Sequence, residues 1–253
     1  MNLNRSAKIM IILAGAALLA LLVLVVNLSR SGSQVKGLEV VIRYGDTPQL
    51  VDRQVVIDSV MSAIPDIERR QVKSVDCDRV ASAAAAVPFL THVSAAVSVS
   101  GKVVIRADQR RPIARLFYGL RELYLDDEGA LFPVSTLGHC DVLVAGGDFT
   151  EPLTIDSLNA QLIALWEVAS FLDRHDDYAA LVDQIFVQSD DDIMMAPKVG
   201  AHVVELGDAA DLDSKFDRLL TFYRRGMPRA GWDTYSLVSL KYKDQEVCRK
   251  KQK

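Results

Sequence analysis

One uninterrupted apolar run, Ile9 to Val26 (IMIILAGAALLALLVLVV), constrains everything after it. As a helix it would be about 27 Å long, close to the roughly 30 Å hydrocarbon core of a bilayer. Twelve of its residues are Leu, Ile or Val. Together they favour insertion by about 4 to 7 kcal/mol. Asn2, Asn4, Arg5 and Lys8 precede the run, and Asn27, Ser29, Arg30 and Ser31 follow it. A cleaved signal peptide would have a shorter apolar core and a small-x-small exit, which Val-Val-Asn-Leu-Ser-Arg is not. The expectation is an uncleaved single-pass anchor, with a cytoplasmic stub over 1–8, a transmembrane helix over 9–28 and a polar linker over 29–36. Arg5 and Lys8 face Arg30 and Lys36 across the span, so charge decides little about orientation. A short stub before a long C-terminal part inserts stub-in. The bulk of the chain is therefore expected outside the cytoplasm.

Beyond the anchor there is room for one large or two modest domains. A net charge of −4 gives no reason to expect nucleic acid as a partner. Charged residues make up 25% of the chain while Gly and Pro are scarce, so this portion should fold. Cys77, Cys140 and Cys248 are odd in number and isolated, which defines neither a disulfide framework nor a zinc site. The tail over 249–253, with Arg249, Lys250, Lys251 and Lys253, is the one basic cluster. It reads as a solvated terminus, or as a contact for anionic lipid.

Residues 37–108 predict a small α+β layer. Leu38 to Tyr44 is a β-branched run closed by Gly45-Asp46. Ile57, Val60, Met61 and Ile64 lie on one helical face, and Pro65 ends it. Cys77 to Val87 is a second, Ala-rich helix, with Asp76 or Asp78 as its cap. The period then changes to two: Val93, Ala95, Val97 and Val99 alternate with polar or small residues, Ser100-Gly101 turns, and Val103, Ile105 and Ala107 return. The order is β-α-α-β-β, one sheet with two helices on one face.

Residues 109–248 predict a mostly antiparallel β domain with flanking helices. Strands are expected at Ile113 to Tyr118, Arg121 to Leu125, Ala130 to Val134, Asp141 to Ala145, Leu181 to Val187, Ile193 to Met195 and Ala201 to Leu206. One helix carries Leu158, Leu162, Leu165, Ala169 and Leu172, capped by Thr154 or Ser157. Another carries Leu212, Phe216, Leu219 and Tyr223, stopping at Gly226 and Pro228. Tyr235 to Lys243 is expected as the final strand, with an open edge.

No constellation for catalysis emerges. His139-Cys140 would place thiol and base on opposite faces of a strand. Asp190-Asp191-Asp192 lacks the ligand spacing, Gly and closing Glu of a calcium loop and reads as a hairpin turn. Asp126-Asp127-Glu128 reads as a solvated turn. Gly146-Gly147 opens no phosphate loop. His175-Asp176-Asp177 reads as a helix end. No nucleophile, base and oxyanion set is present, which argues for a protein that binds rather than reacts, without cofactor, metal or small-molecule substrate.

The ordered set of features resembles the FtsQ/DivIB bacterial cell-division family: an N-terminal anchor, the β-α-α-β-β module, then Asp108-Gln109-Arg110-Arg111-Pro112-Ile113-Ala114-Arg115. Tyr124-Leu125-Asp126-Asp127-Glu128-Gly129-Ala130-Leu131-Phe132-Pro133 is similar to a further stretch of that family, as are Phe222 to Met227 and Trp232 to Cys248. The Ala-rich second helix, Ala83 to Ala86, departs from its usual pattern. The resemblance implies that 37–108 is a POTRA domain serving recruitment. It implies a non-enzymatic divisome scaffold in the cytoplasmic (inner) membrane at the septum. Implied partners are FtsB/FtsL-type proteins and the septal peptidoglycan synthase complex. It further implies strand addition at the C-terminal edge through Lys241, Tyr242, Lys243, Asp244, Gln245 and Val247, with Arg224 and Arg225 as a second charge contact. An unpaired terminal strand suits such docking on physical grounds, because its backbone groups need a partner. The alternative is a membrane-anchored extracytoplasmic wall-modifying hydrolase, which would need a deep pocket with convergent polar groups.

Overall fold

In the computed structural model the described residues are 14–21, 33–149, 159–243, 245 and 247–251. Residues 14–21 are helical, with Leu18, Leu19 and Leu21 exposed. Among the described residues no helix is long and apolar enough to cross a membrane. The remainder of the expected span, 9–13 and 22–28, lies outside them. The described residues divide into two compact units, within 1–45 with 51–109 and within 46–50 with 110–253.

The first unit has the expected element order. Strand β1 (Leu38–Arg43) is followed by α1 (Arg53–Ala63), α2 (Cys77–Ala85), β2 (Leu90–Val97) and β3 (Val103–Gln109). The sheet order is β1-β3-β2, parallel then antiparallel, so the last strand inserts at the centre. The caps are local. Asp52 accepts from the Gln54 amide and Asp76 from the Arg79 amide, satisfying first-turn donors. Small residues on α2 bring the helices close, and Ser59 Oγ donates to the Ala83 carbonyl at 2.8 Å. Val56, Val60, Ile67, Val80, Ala84, Val103 and Ile105 form a buried apolar core. Two details differ from expectation. Val99 is 82% exposed in the hairpin turn rather than packed in a strand. Residues at the end of the expected linker already belong to the fold: Val35 is buried and its amide donates to the Arg70 carbonyl.

The second unit is built on a nine-stranded sheet. Its strands are β4 (Pro112–Tyr118), β5 (Arg121–Asp126), β6 (Leu131–Pro133), β7 (Leu143–Gly147), β8 (Val182–Ser189), β9 (Asp192–Pro197), β10 (Val203–Gly207), β11 (Tyr235–Ser239) and β12 (Val247–Lys250). The helices are α3 (Ala160–Asp173), α4 (Asp176–Ala179), α5 (Leu212–Thr221) and α6 (Met227–Ala230). The order is β12-β11-β10-β9-β8-β7-β4-β5-β6. Most neighbours are antiparallel; β4/β7, β7/β8 and β10/β11 are parallel. A parallel step needs a crossover, and α3 supplies it between β7 and β8, α5 between β10 and β11. Both helices pack on one face, where Leu116, Ala145, Ile185, Met195, Val204 and Val238 meet Leu165, Val168 and Phe216. The cap of α3 is Asn159, whose side chain accepts from the Leu162 amide; Thr154 and Ser157 lie outside the described residues.

Two expectations near the C-terminus are corrected. The helix after Leu212 does not stop at Gly226. It widens into a π turn over Phe222–Gly226 and continues as α6 to Gly231, which has φ 90°. Pro228 sits in the first turn of α6, directly after the π turn. The expected strand Tyr235 to Lys243 ends at Ser239, and β11 is enclosed by β10 on one flank and β12 on the other. The end of the sheet is β12.

Candidate partner-binding edge

The C-terminal end of the sheet is assembled by α5, the π turn and the β11–β12 hairpin. Phe216 and Leu219 bury one face of α5 completely. The Phe222 ring seats against Gly226, where a Cβ would lie 2.7 Å from it. The widened turn buries Tyr223 and leaves Arg224 and Arg225 exposed. Phe222 packs against Tyr235 on β11, ring centroids 5.9 Å apart.

The chain leaves β11 with Val238, Ser239 and Leu240 buried, and the Leu240 amide donates to the Glu205 carbonyl at 2.8 Å. Lys241, Tyr242 and Lys243 then turn outward. Strand β12 returns antiparallel, with Ser239 opposite Val247, Val238 opposite Cys248 and Leu237 opposite Arg249. The Lys251 amide donates to the Thr234 carbonyl and closes the hairpin. Among the described residues no strand pairs with the outer flank of β12.

Of the residues singled out in the sequence, Lys241, Tyr242, Lys243 and Gln245 lie in the β11–β12 connection, and Val247 begins β12. All five are exposed, Tyr242 by 50% and Val247 by 45%. Asp244 lies outside the described residues. Arg224 and Arg225 are exposed on the π turn, and among the described residues no hydrogen bond or ion pair joins them to the hairpin. The edge itself is basic: Arg249 and Lys250 are exposed on β12, and Lys251 reaches Asp233 at 3.5 Å. Sequence reasoning missed Arg249 and Lys250 as strand residues because Val247-Cys248-Arg249-Lys250 has neither β-branched density nor a clean alternation. It also missed Arg218, which donates to three carbonyls of the hairpin connection.

The other positions weighed for chemistry do not form a site. Cys140 is buried, which pushes its thiol up, while His139 is exposed. Asp190 and Asp191 form the β8–β9 turn, where Ser189 Oγ donates to Asp191. Gly146 and Gly147 lie within β7. His175 Nδ1 lies 2.7 Å from the Phe171 carbonyl at the end of α3. Among the described residues no group of three or more His, Cys, Asp or Glu is placed to hold a metal ion.

No curated protein matches this chain. The family model described as FtsQ/DivIB, C-terminal related, matches residues 111–249, more than half of the chain. The match runs from the first strand of the second unit to its edge strand. The chain therefore belongs to the FtsQ/DivIB, C-terminal related family.

Proposed function

We propose that the protein is a non-enzymatic scaffold of the bacterial division machinery that links early and late division proteins at the septum. The apolar run holds it in the cytoplasmic membrane with both units outside. The first unit, with its β-α-α-β-β order, acts as a POTRA domain in recruitment. The second binds FtsB/FtsL-type partners and, through them, the septal peptidoglycan synthase complex. One observation carries the reading: β12, at the end of the family-matched span, ends the sheet with an outer flank that no described strand covers. A partner segment added there would pair along that outer flank, and its alternate side chains would set specificity. Short length and cationic residues also protect an edge from aggregation. Half-exposed Tyr242 and Val247 go beyond what protection needs, and an aromatic anchor is a common centre of binding energy. The basic edge selects an acidic segment.

The test uses the full chain in detergent and the extracytoplasmic segment of the FtsB-type protein of the same genome. Tyr242→Glu with Val247→Glu is expected to weaken capture by about tenfold or more, with the cooperative melt retained. Unchanged capture removes strand addition at β12. A fluorescent fusion that stays evenly spread over the membrane throughout the cell cycle removes the division role.

A further inference from the structure

Arg218 grips the connection between β11 and β12. Its Nη1 donates to the carbonyls of Tyr242 at 2.9 Å and Gln245 at 2.8 Å, and its Nη2 donates to the Leu240 carbonyl at 2.9 Å. These carbonyls lie where the chain has left β11 and has not yet joined β12. A planar guanidinium satisfies several acceptors in fixed directions, which an ammonium cannot do. The geometry is one-sided: Arg218 Nε is buried without a partner, so the hydrogen bonding is spent on the hairpin.

Strand β12 is a short edge with most of its side chains in solvent. Val247, Arg249 and Lys250 are exposed, and Cys248 is only partly buried. Among the described residues its ties include the β11 ladder, the Lys251 amide to the Thr234 carbonyl, Ser236 Oγ to the Arg249 carbonyl at 3.2 Å and the packing of Cys248 against the core. A short, exposed edge of this kind opens locally at low cost. A partner that adds a strand to a loose edge must order it first and loses affinity by that amount. The packing of α5 does not depend on Arg218, because Leu212, Phe216 and Leu219 supply its buried face.

We infer that Arg218 is a positioning residue for partner docking: its guanidinium holds the Leu240, Tyr242 and Gln245 carbonyls in place and so keeps β12 pre-formed as a template for an extended partner segment. This rests on the strand-addition reading above. Arg218 touches no partner; it acts through the backbone it holds.

The experiment uses the full chain in detergent and, as probe, the same FtsB-type segment as a synthetic peptide. Amide hydrogen exchange and peptide affinity are measured for the parent, R218A and R218K. In R218A, exchange across 240–250 is expected to rise by about tenfold or more, that of β8 and β9 to stay unchanged, and affinity to fall by about tenfold or more. R218K, with one ammonium for three carbonyls, is expected between the two on both readouts. If R218A melts without cooperativity, the same two readouts on R218K decide. Faster exchange at 240–250 with parental affinity overturns the inference, as does unchanged exchange. A parent chain that binds no peptide overturns strand addition itself, and the inference with it.

Discussion

At the scale of single residues, His202 shows what burial does to a titratable group. It is 3% exposed just before β10, with Nε2 2.7 Å from the Tyr223 hydroxyl and Nδ1 buried without a partner. Gly200, at φ 81°, closes over it; a Cβ there would lie 2.8 Å from Nδ1. Burial first, and Lys251 second, hold its pKa below the ordinary 6.5. The unfolded chain therefore takes up this proton first as pH falls. The contribution to stability is complete above the ordinary value and is lost as pH drops below it. The urea midpoint is expected to fall between about pH 7.5 and about pH 5.5, and His202→Gln is expected to flatten that fall. Equal slopes in parent and variant would show that His202 does not carry it. Nothing in the sequence around Ala201-His202-Val203 distinguishes a buried imidazole from a surface one.

At the scale of elements, the β5–β6 turn corrects a local reading. Asp126-Asp127-Glu128-Gly129 has the composition of a solvated turn, and Gly129 does take a positive φ of 84°. Yet Asp126 is 1% exposed. Its Oδ1 accepts from the amides of Glu128 at 3.1 Å and Ala130 at 2.6 Å, and its Oδ2 pairs with Arg110 at 2.7 Å. Burial outweighs these contacts and raises the carboxyl above its usual range. The side chain thus builds the hairpin from within and ties it to the start of β4. Asp126→Ala, which leaves a cation and two amides without this acceptor, is expected to cost about 3 kcal/mol in urea denaturation. Asp126→Asn, which keeps an acceptor for the amides, is expected to cost clearly less. Equal losses for the two would remove the acceptor role. The cap at Asp76 was legible in advance because it acts within three residues. Asp126 was not, because what buries it is distant in sequence.

At the scale of the whole molecule, each unit has its own core, and among the described residues helices cover one face of the large sheet. On the open face, Phe117 is opposite Gly146, which is opposite Phe186, which is opposite Met194. Phe117, Phe186 and Val203 are each about two-fifths exposed around a hollow of about 570 Å³. Alternation makes a direct prediction here. Ile185, 1% exposed toward the helices, is expected to cost about 3 kcal/mol on change to Ala. Its neighbour Phe186, 43% exposed on the other face, is expected to cost under about 1.5 kcal/mol for the same change. Comparable losses in urea titrations would mean that the β8 register is other than described.

Helix positions, strand periods and the β-α-α-β-β order of the first unit were determined by the chain alone, since they rest on contacts within a few residues. The family relation was legible for the same reason, carried by an ordered run of local signals. Tertiary structure decided that β7 lies between β4 and β8, that Asp126 and His202 are buried, and that β11 is not the last strand. Each depends on which distant segment takes up a backbone or side-chain group, and local pattern does not encode that choice. The edge is Val247–Lys250 rather than Tyr235–Lys243 because Val247–Lys250 pairs with the outer flank of β11, while the Leu240, Tyr242 and Gln245 carbonyls accept from Arg218, a helix residue more than twenty positions earlier.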